Sequence, residues 1–286
     1  MGMKNGYADL HIHTTNSDGT STVEERVEQA KDRGLKAISI TDHDRIPPSL
    51  ESPRKSYKGI EVVTGVEIRA DIFDTKIEIL GYYIDPTNDR LNSVLEKVRG
   101  YREKRNRKIV DRLTEVTGLD VTYESLNDSV EGSLGRPHLA DLLIDEGYVD
   151  TVSEAFDEYL AEGGDVYVPM ERAPYDEVIK AVHEAGGVTS LAHPGRIRSG
   201  SVPEMTEELV ESGLDAIEVW YPYGEVRSDD YADIGVEEAE ALAEGHSLLK
   251  TGGSDCHGPE SGKFRIGKVA VTEEQLLKLR TESSVE

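Results

Sequence analysis

The chain has 286 residues, enough for one large α/β domain or for a barrel that carries an insert. It holds 57 acidic against 32 basic residues, a net charge of −25, and so acidic a surface repels long duplex nucleic acid. No apolar run is long enough to span a bilayer, residues 1–7 lack the apolar core of a signal peptide, and the single cysteine, Cys256, has no partner for an internal disulfide. These features predict a cytoplasmic protein with no membrane partner. The acid excess reads either as a well-solvated surface or as adaptation to a salty cytoplasm that screens self-repulsion.

The elements follow a βα rhythm at first. Residues 8–13 read as a strand, and 23–33 as a helix capped by Ser21 or Thr22 and stopped at Gly34. Apolar runs at 35–41, 60–66 and 77–84 predict three more strands. The rhythm argues for a mainly parallel sheet. It breaks at 91–116, where apolar residues recur at helical spacing among many charges, and 139–146 and 152–160 read as further helices. The stretch 88–171 is therefore expected to be a helical insert between 1–87 and 172–286. The alternation then resumes with a helix at 175–184, a strand at 188–192, a helix at 204–211 and a strand at 216–220. A helix at 236–244, a strand at 247–251, a last strand at 266–271 and a last helix at 273–280 complete the chain.

Ionisable residues gather where the predicted strands end. Residues two apart on a strand face the same way, so His11 and His13 project together while Leu10 and Ile12 pack behind them. Two adjacent imidazoles are a ready metal-binding pair. Asp18 follows shortly. Thr41-Asp42-His43-Asp44 leaves a second buried strand, where so many polar groups are costly unless paired with each other or a metal. Glu67, His193 and Glu218 sit at or within later apolar runs. Asp255 and His257 again stand two apart, which turns Cys256 to the other face as a small packed residue. Each cluster alone reads equally as an ordinary strand end or helix cap. Closing a barrel would bring all of them to one mouth, the end of a βα barrel that carries active sites. Imidazole and carboxylate donors without thiolates suit Mn²⁺, Fe²⁺, Zn²⁺ or Mg²⁺, and so many of them suit more than one ion.

In this order HxHT with a following Asp, TDHD, a strand-end Glu, AHP and GSDxH resemble the PHP family of phosphoesterases, over residues 9–257. The resemblance implies a distorted (β/α)₇ barrel with a site for two or three divalent ions. It implies that His11, His13, Glu67 and Asp255 hold the first ion. Glu67 and His193 would hold the second, and Asp18, His43 and His257 the third. Asp42, Asp44 or Glu218 would orient ligand histidines, and Asp42 is a candidate for a catalytic part. One position departs from the family. Many members carry histidine where Glu78 stands in Lys76-Ile77-Glu78-Ile79-Leu80-Gly81-Tyr82. A carboxylate there can still ligate and shifts preference toward hard ions, Mn²⁺ first. The other reading is that Glu78 faces solvent.

Within the insert, Gly135-Arg136-Pro137-His138 resembles the nucleoside 3′,5′-bisphosphate phosphatases, some of which also trim RNA 5′ ends. The resemblance makes Arg136 and His138 substrate contacts, with His138 a candidate general acid. Arg102 and Arg105, on one helical face, and Arg196, just after AHP, are further candidates for anion contact. The expected function is a metal-dependent phosphatase for a small nucleotide, removing the 3′-phosphate of a nucleoside 3′,5′-bisphosphate, with 5′-to-3′ trimming of short RNA as a related activity. A histidinol-phosphate-type phosphatase and a non-catalytic metal-binding module are the alternatives.

Overall fold

The computed structural model describes residues 6–130, 134–225, 230–261 and 265–284. β1 (Ala8–Ile12) is buried at every position. α1 (Val23–Asp32) begins at Thr22, whose hydroxyl accepts the Glu25 N–H while the Glu25 carboxylate accepts the Thr22 N–H. That reciprocal cap fixes the helix start. β2 (Ala37–Ile40) is again wholly buried. β3 (Arg54–Tyr57), a short and mostly exposed strand, was not legible as an apolar run.

β4 (Ile60–Ile72) runs well past the expected end at 66 and turns back into β5 (Thr75–Tyr82). The two pair antiparallel from Gly65↔Tyr82 to Ile72↔Thr75. Phe73 and Asp74 form the turn with φ of 52° and 60°. Two consecutive residues in the left-handed region make the tight connection that matches strand twist. The chain then enters α2 (Asp89–Thr117), α3 (Tyr123–Asn127), α4 (Arg136–Asp145) and α5 (Val152–Glu154), which continues as a π-helix over Ala155–Leu160. After them come β6 (Ala173–Pro174), α6 (Tyr175–Glu184), β7 (Val188–Leu191) and α7 (Val202–Glu211). β8 (Ala216–Trp220), α8 (Val236–Gly245), β9 (Leu249–Gly252) and α9 (Glu273–Glu282) follow.

The sheet order is β1-β2-β4-β5-β7-β8-β9, with β3 and β6 attached to β4. Its outer strands approach each other, since Ile12 bridges Cys256 and the His13 N–H donates to the Cys256 carbonyl at 3.0 Å. The fold is the distorted (β/α)₇ barrel. The distortion has a named source: β5 runs against both its neighbours, β4 and β7, while the other pairs along the path are parallel. The mainly parallel expectation therefore fails at one strand. The expected strand at 266–271 also does not form. Gly267 turns the chain there with φ 72°, and of that described run Val271 alone bridges back, antiparallel to Ala8.

The chain divides into two compact units, Met1–Glu96 with Arg172–Glu286, and Lys97–Glu171. The first is packed around strands whose inward residues include Leu10, Val63, Leu80, Tyr82 and Val188. The second has its own apolar core, built on Ile109, Leu113, Leu139, Leu143 and Leu160.

Candidate metal centre

The first unit gathers His11, His13, Asp18, His43, Glu67, Glu78, His193, Asp255 and His257 in overlapping groups whose donor atoms lie within 4.8 Å of one another. Local backbone explains how. β1 ends at Ile12, so His11 is held by the strand and His13 by the bond to Cys256. Residues 42–44 lie alongside β4, with the Asp44 N–H donating to the Glu67 carbonyl at 2.8 Å, which sets His43 beside Glu67. Glu67 lies within β4 and not at its end. Glu78 belongs here because β5 is reversed: the start of β5 meets the C-terminal end of β7, and the Ala192 N–H donates to the Glu78 carbonyl at 2.9 Å. Glu78 is buried, which removes the solvent-facing reading.

Asp255 and His257 do meet, but not by strand alternation. β9 stops at Gly252, and Asp255 sits in the loop beyond with φ 52°. His193 has φ 24°. Such sparsely populated backbone persists only where the surroundings enforce it, and it concentrates at functional sites. Gly253 is required by close approach: a Cβ there would lie 2.4 Å from the His11 Cβ.

Glu67 is the hub. Its Oε2 stands 2.8 Å from His43 Nδ1, 3.4 Å from His13 Nε2 and 3.5 Å from His11 Nε2, and its Oε1 is 3.0 Å from His193 Nε2. Asp255 Oδ1 is 3.2 Å from His13 Nε2 and 3.4 Å from His257 Nδ1. Asp18 lies 3.3 Å from His257 Nε2 and 3.8 Å from both His13 and His43. Glu78 Oε2 is 3.6 Å from His193 Nε2.

Charge in this cluster is out of balance. Burial raises the Glu67 and Asp255 carboxyls, but the surrounding histidines outweigh it and hold both well below the usual range. Glu78 falls to about 2, burial being overcome chiefly by Lys76. Burial would depress His11, yet the charges of Glu218 and Glu67 carry it well above its ordinary value. His257 goes the other way, to about 4, through burial and then the charge of His13. The carboxylates thus demand cations. Protons on histidine are one source and divalent ions the other.

The donor set fits metal. His11 Nε2, both nitrogens of His13, His43 Nδ1, Glu67 Oε2 and His257 Nε2 are buried without a hydrogen-bond partner. Each such atom costs about 1–3 kcal/mol unless something satisfies it. They converge on one another, and the set is imidazole and carboxylate only, as divalent hard or borderline ions require.

A second layer fixes the ligands. Glu218, fully buried, stands 3.0 Å from His11 Nδ1 and accepts the His193 N–H at 2.8 Å. That orients Nε2 of His11 inward. Asp42 accepts from the Thr14 N–H and hydroxyl and from the Ser17 hydroxyl. These bonds anchor the turn at 14–17. Asp44 pairs with Arg69 at 2.9 Å.

Sequence reasoning missed Arg26, Arg69 and Tyr221. Arg26 is wholly buried in α1 and donates to the His13 carbonyl at 2.9 and 2.6 Å and to the Cys256 carbonyl at 3.3 Å, tying two ligand-bearing loops together. Arg69 shares a strand face with Glu67, a period-two signal that was available. The Tyr221 hydroxyl donates to Asp255 Oδ2 at 2.9 Å. Arg196, expected as an anion contact, donates to the same oxygen and to the Tyr221 hydroxyl, each at 3.0 Å. In the second unit, Arg105 donates to the Val168 carbonyl at 2.9 Å and Arg136 to the Leu160 carbonyl at 3.2 Å, with Arg136 over the Phe156 ring. His138 Nδ1 accepts the Gly135 N–H at 3.0 Å, capping α4. Arg102 lies on α2 and is partly buried.

A cluster of this composition on this barrel defines a class, the metal-dependent phosphoesterases. The family model for the PHP domain matches residues 9–226. A 5′-3′ exoribonuclease of Haemophilus influenzae is 32% identical over 266 residues, covering 91% of this chain and 93% of its own. A 3′,5′-nucleoside bisphosphate phosphatase of Chromobacterium violaceum is 29% identical over 265 residues, covering 91% and 90%. Among solved structures, one from Bifidobacterium adolescentis, provisionally described as a metal-dependent phosphoesterase, superposes with a TM-score of 0.78 at 29% identity, over 97% of this chain and 96% of that one. The chain belongs to the PHP family, and it is a metal-dependent phosphoesterase. No helix among the described residues is long and apolar enough to cross a membrane.

Proposed function

We propose that the chain hydrolyses the ester at the 3′-oxygen of a nucleotide that carries a 5′-phosphate. In a nucleoside 3′,5′-bisphosphate that reaction releases the 3′-phosphate. In a short 5′-phosphorylated RNA the same P–O3′ bond joins the first nucleotide to the second, so its hydrolysis is 5′-to-3′ trimming. One activity thus spans the names of both kinds of relative. The observation that carries the reading is the convergence of buried, unpartnered histidine nitrogens and ionised carboxylates in one cluster.

His11, His13, Glu67 and Asp255 would hold one ion, Glu67, Glu78 and His193 a second, and Asp18, His43 and His257 a third. When bound, such ions supply the positive charge that activates water and neutralises a phosphoryl group, with Mn²⁺ favoured by the carboxylate at Glu78. Glu218 keeps His11 in one tautomer and orientation. Tyr221 and Arg196 hold Asp255 Oδ2, which leaves Oδ1 for the cluster. Arg196 is also a proposed contact to a phosphoryl oxygen, since its guanidinium lies against Asp255. Arg136, His138, Arg102 and Arg105 are proposed contacts to the rest of the substrate, with His138 the proposed acid; the resemblance of the 135–138 run supports them.

The test is metal analysis joined to a phosphate-release and product panel of adenosine 3′,5′-bisphosphate, AMP, histidinol phosphate and a short 5′-phosphorylated RNA. The expected result is bound Mn²⁺ and the highest kcat/KM on the bisphosphate or the RNA, with AMP released from the bisphosphate and the first 5′-mononucleotide from the RNA. A preference for histidinol phosphate would overturn the substrate and leave the metal centre standing.

A further inference from the structure

Arg198 has no part in the site described so far. It is exposed, two residues beyond Arg196, and among the described residues no carboxylate lies within ion-pair distance of it. Arg69, Arg172, Arg196 and Arg280 of the same unit each have an acidic partner, while Arg33, Arg45 and Arg54, like Arg198, have none among the described residues; what sets Arg198 apart is its place beside Arg196. What Arg198 does meet is Tyr231. Its guanidinium stands 5.4 Å from the centre of the half-buried Tyr231 ring, and that of Arg196 stands 6.0 Å from the same ring.

The environment of that ring favours negative charge. Burial alone would raise the Tyr231 phenol, but hydrogen bonding with Arg198 and the positive charge of Arg196 outweigh it and draw the phenol below its ordinary range. Arg196 also reaches the opposite way, to Asp255 Oδ2 at 3.0 Å. Arg196 therefore links Asp255 of the metal centre to the Tyr231 ring, which Arg198 also meets.

We propose that Arg198 and the Tyr231 hydroxyl, beside Arg196, bind the non-reacting phosphate of the substrate, the 5′-phosphate of a nucleotide whose 3′-ester lies at the metal centre. This rests on the nucleotide reading given above. Two guanidinium forks and a hydroxyl supply several donors to one phosphate, and charge-assisted bonds of this kind are the strong ones. A purely structural role for the pair, stacking to stiffen the loop, would leave substrate preference untouched.

The experiment compares kcat/KM for adenosine 3′,5′-bisphosphate with that for adenosine 3′-monophosphate, which lacks the 5′-phosphate, in the metal-loaded full chain. The wild type is expected to favour the bisphosphate. Arg198→Ala should shrink that preference by about tenfold or more, Tyr231→Phe by a smaller factor, and Arg198→Lys should restore part of it. Arg198 is exposed and Tyr231→Phe keeps the ring, so both variants should retain the fold. If the wild type prefers the bisphosphate and Arg198→Ala and Tyr231→Phe lower both substrates equally, or neither, this subsite is overturned and the nucleotide reading stands. If the wild type ignores the 5′-phosphate altogether, both fall together.

Discussion

At the metal centre, His11, His13, His43 and His257 bury ring nitrogens that find no hydrogen-bond partner. In the helical unit the opposite holds: buried Asn106 donates to the Leu134 carbonyl at 2.6 Å, and Arg105 and Arg136 spend donors on the Val168 and Leu160 carbonyls. The helical unit therefore satisfies its own polar groups and is stabilised by apolar burial around Leu113 and Leu139. The barrel mouth leaves polar groups unsatisfied at a cost that only a ligand can offset. Arg280 Nε in α9 is orphaned too, so it is the convergence of such atoms on one another that separates the site from the scaffold.

The largest expected effect attacks that convergence directly. His11→Ala removes a nitrogen that faces Glu67 and Asp255. Turnover should be lost, and metal analysis should show fewer ions per chain. Full activity in a His11→Ala protein stripped and reloaded with metal would show that the convergence of these side chains is structural. The orientation of the same ring gives a smaller effect. Glu218→Gln keeps a hydrogen bond to His11 but removes the charge. Losing an orienting partner of this kind costs about 10- to 100-fold in metal affinity. Chelator competition should show a shift in that range with the fold intact by circular dichroism; an unchanged affinity would remove Glu218 from the second layer.

Much of this comparison was legible in the sequence, for physical reasons. His11 and His13 stand two apart at the end of a buried strand, which pointed to a shared site, although β1 is irregular between Asp9 and Ile12 and His13 is held by its bond to Cys256. TDHD, AHP and GSD stood after apolar runs that became β2, β7 and β9. Glu78 was harder. Nothing local says that β5 runs antiparallel, and direction alone decides whether its early residues meet the mouth. Arg26 was hidden because α1 reads as an ordinary amphipathic helix, and its burial depends on the loops of His13 and Cys256 closing over it. Arg198 and Tyr231 lie far apart in sequence on irregular segments, where no periodicity links them. Conversely, the apolar run at 266–271 predicted a strand, but the turn at Gly267 broke it.

The smallest expected effect lies away from the mouth and tests whether a pair without a functional demand behaves as scaffold. His183 Nε2 stands 2.8 Å from Asp215 Oδ2, an oxygen that also accepts the Thr189 N–H and hydroxyl, each at 2.7 Å. The Asp215 hydrogen bond raises His183 above 6.5. Burial would raise Asp215, but His183 and Thr189 together bring it below 3.8. The raised histidine gives stability that is fully present below pH 6.5 and fades as pH rises through its folded value. The lowered aspartate gives stability present above pH 3.8 that fades as pH falls through its folded value. The pair therefore contributes most between these limits. Comparing the Tm of the wild type with that of His183→Asn should show the widest gap near pH 5.5 and a narrower one near pH 9, on the order of a degree or two because the histidine is part-exposed and screened. A gap that widens toward high pH would mean that the neutral imidazole is the stabilising form and that the ion pair contributes nothing.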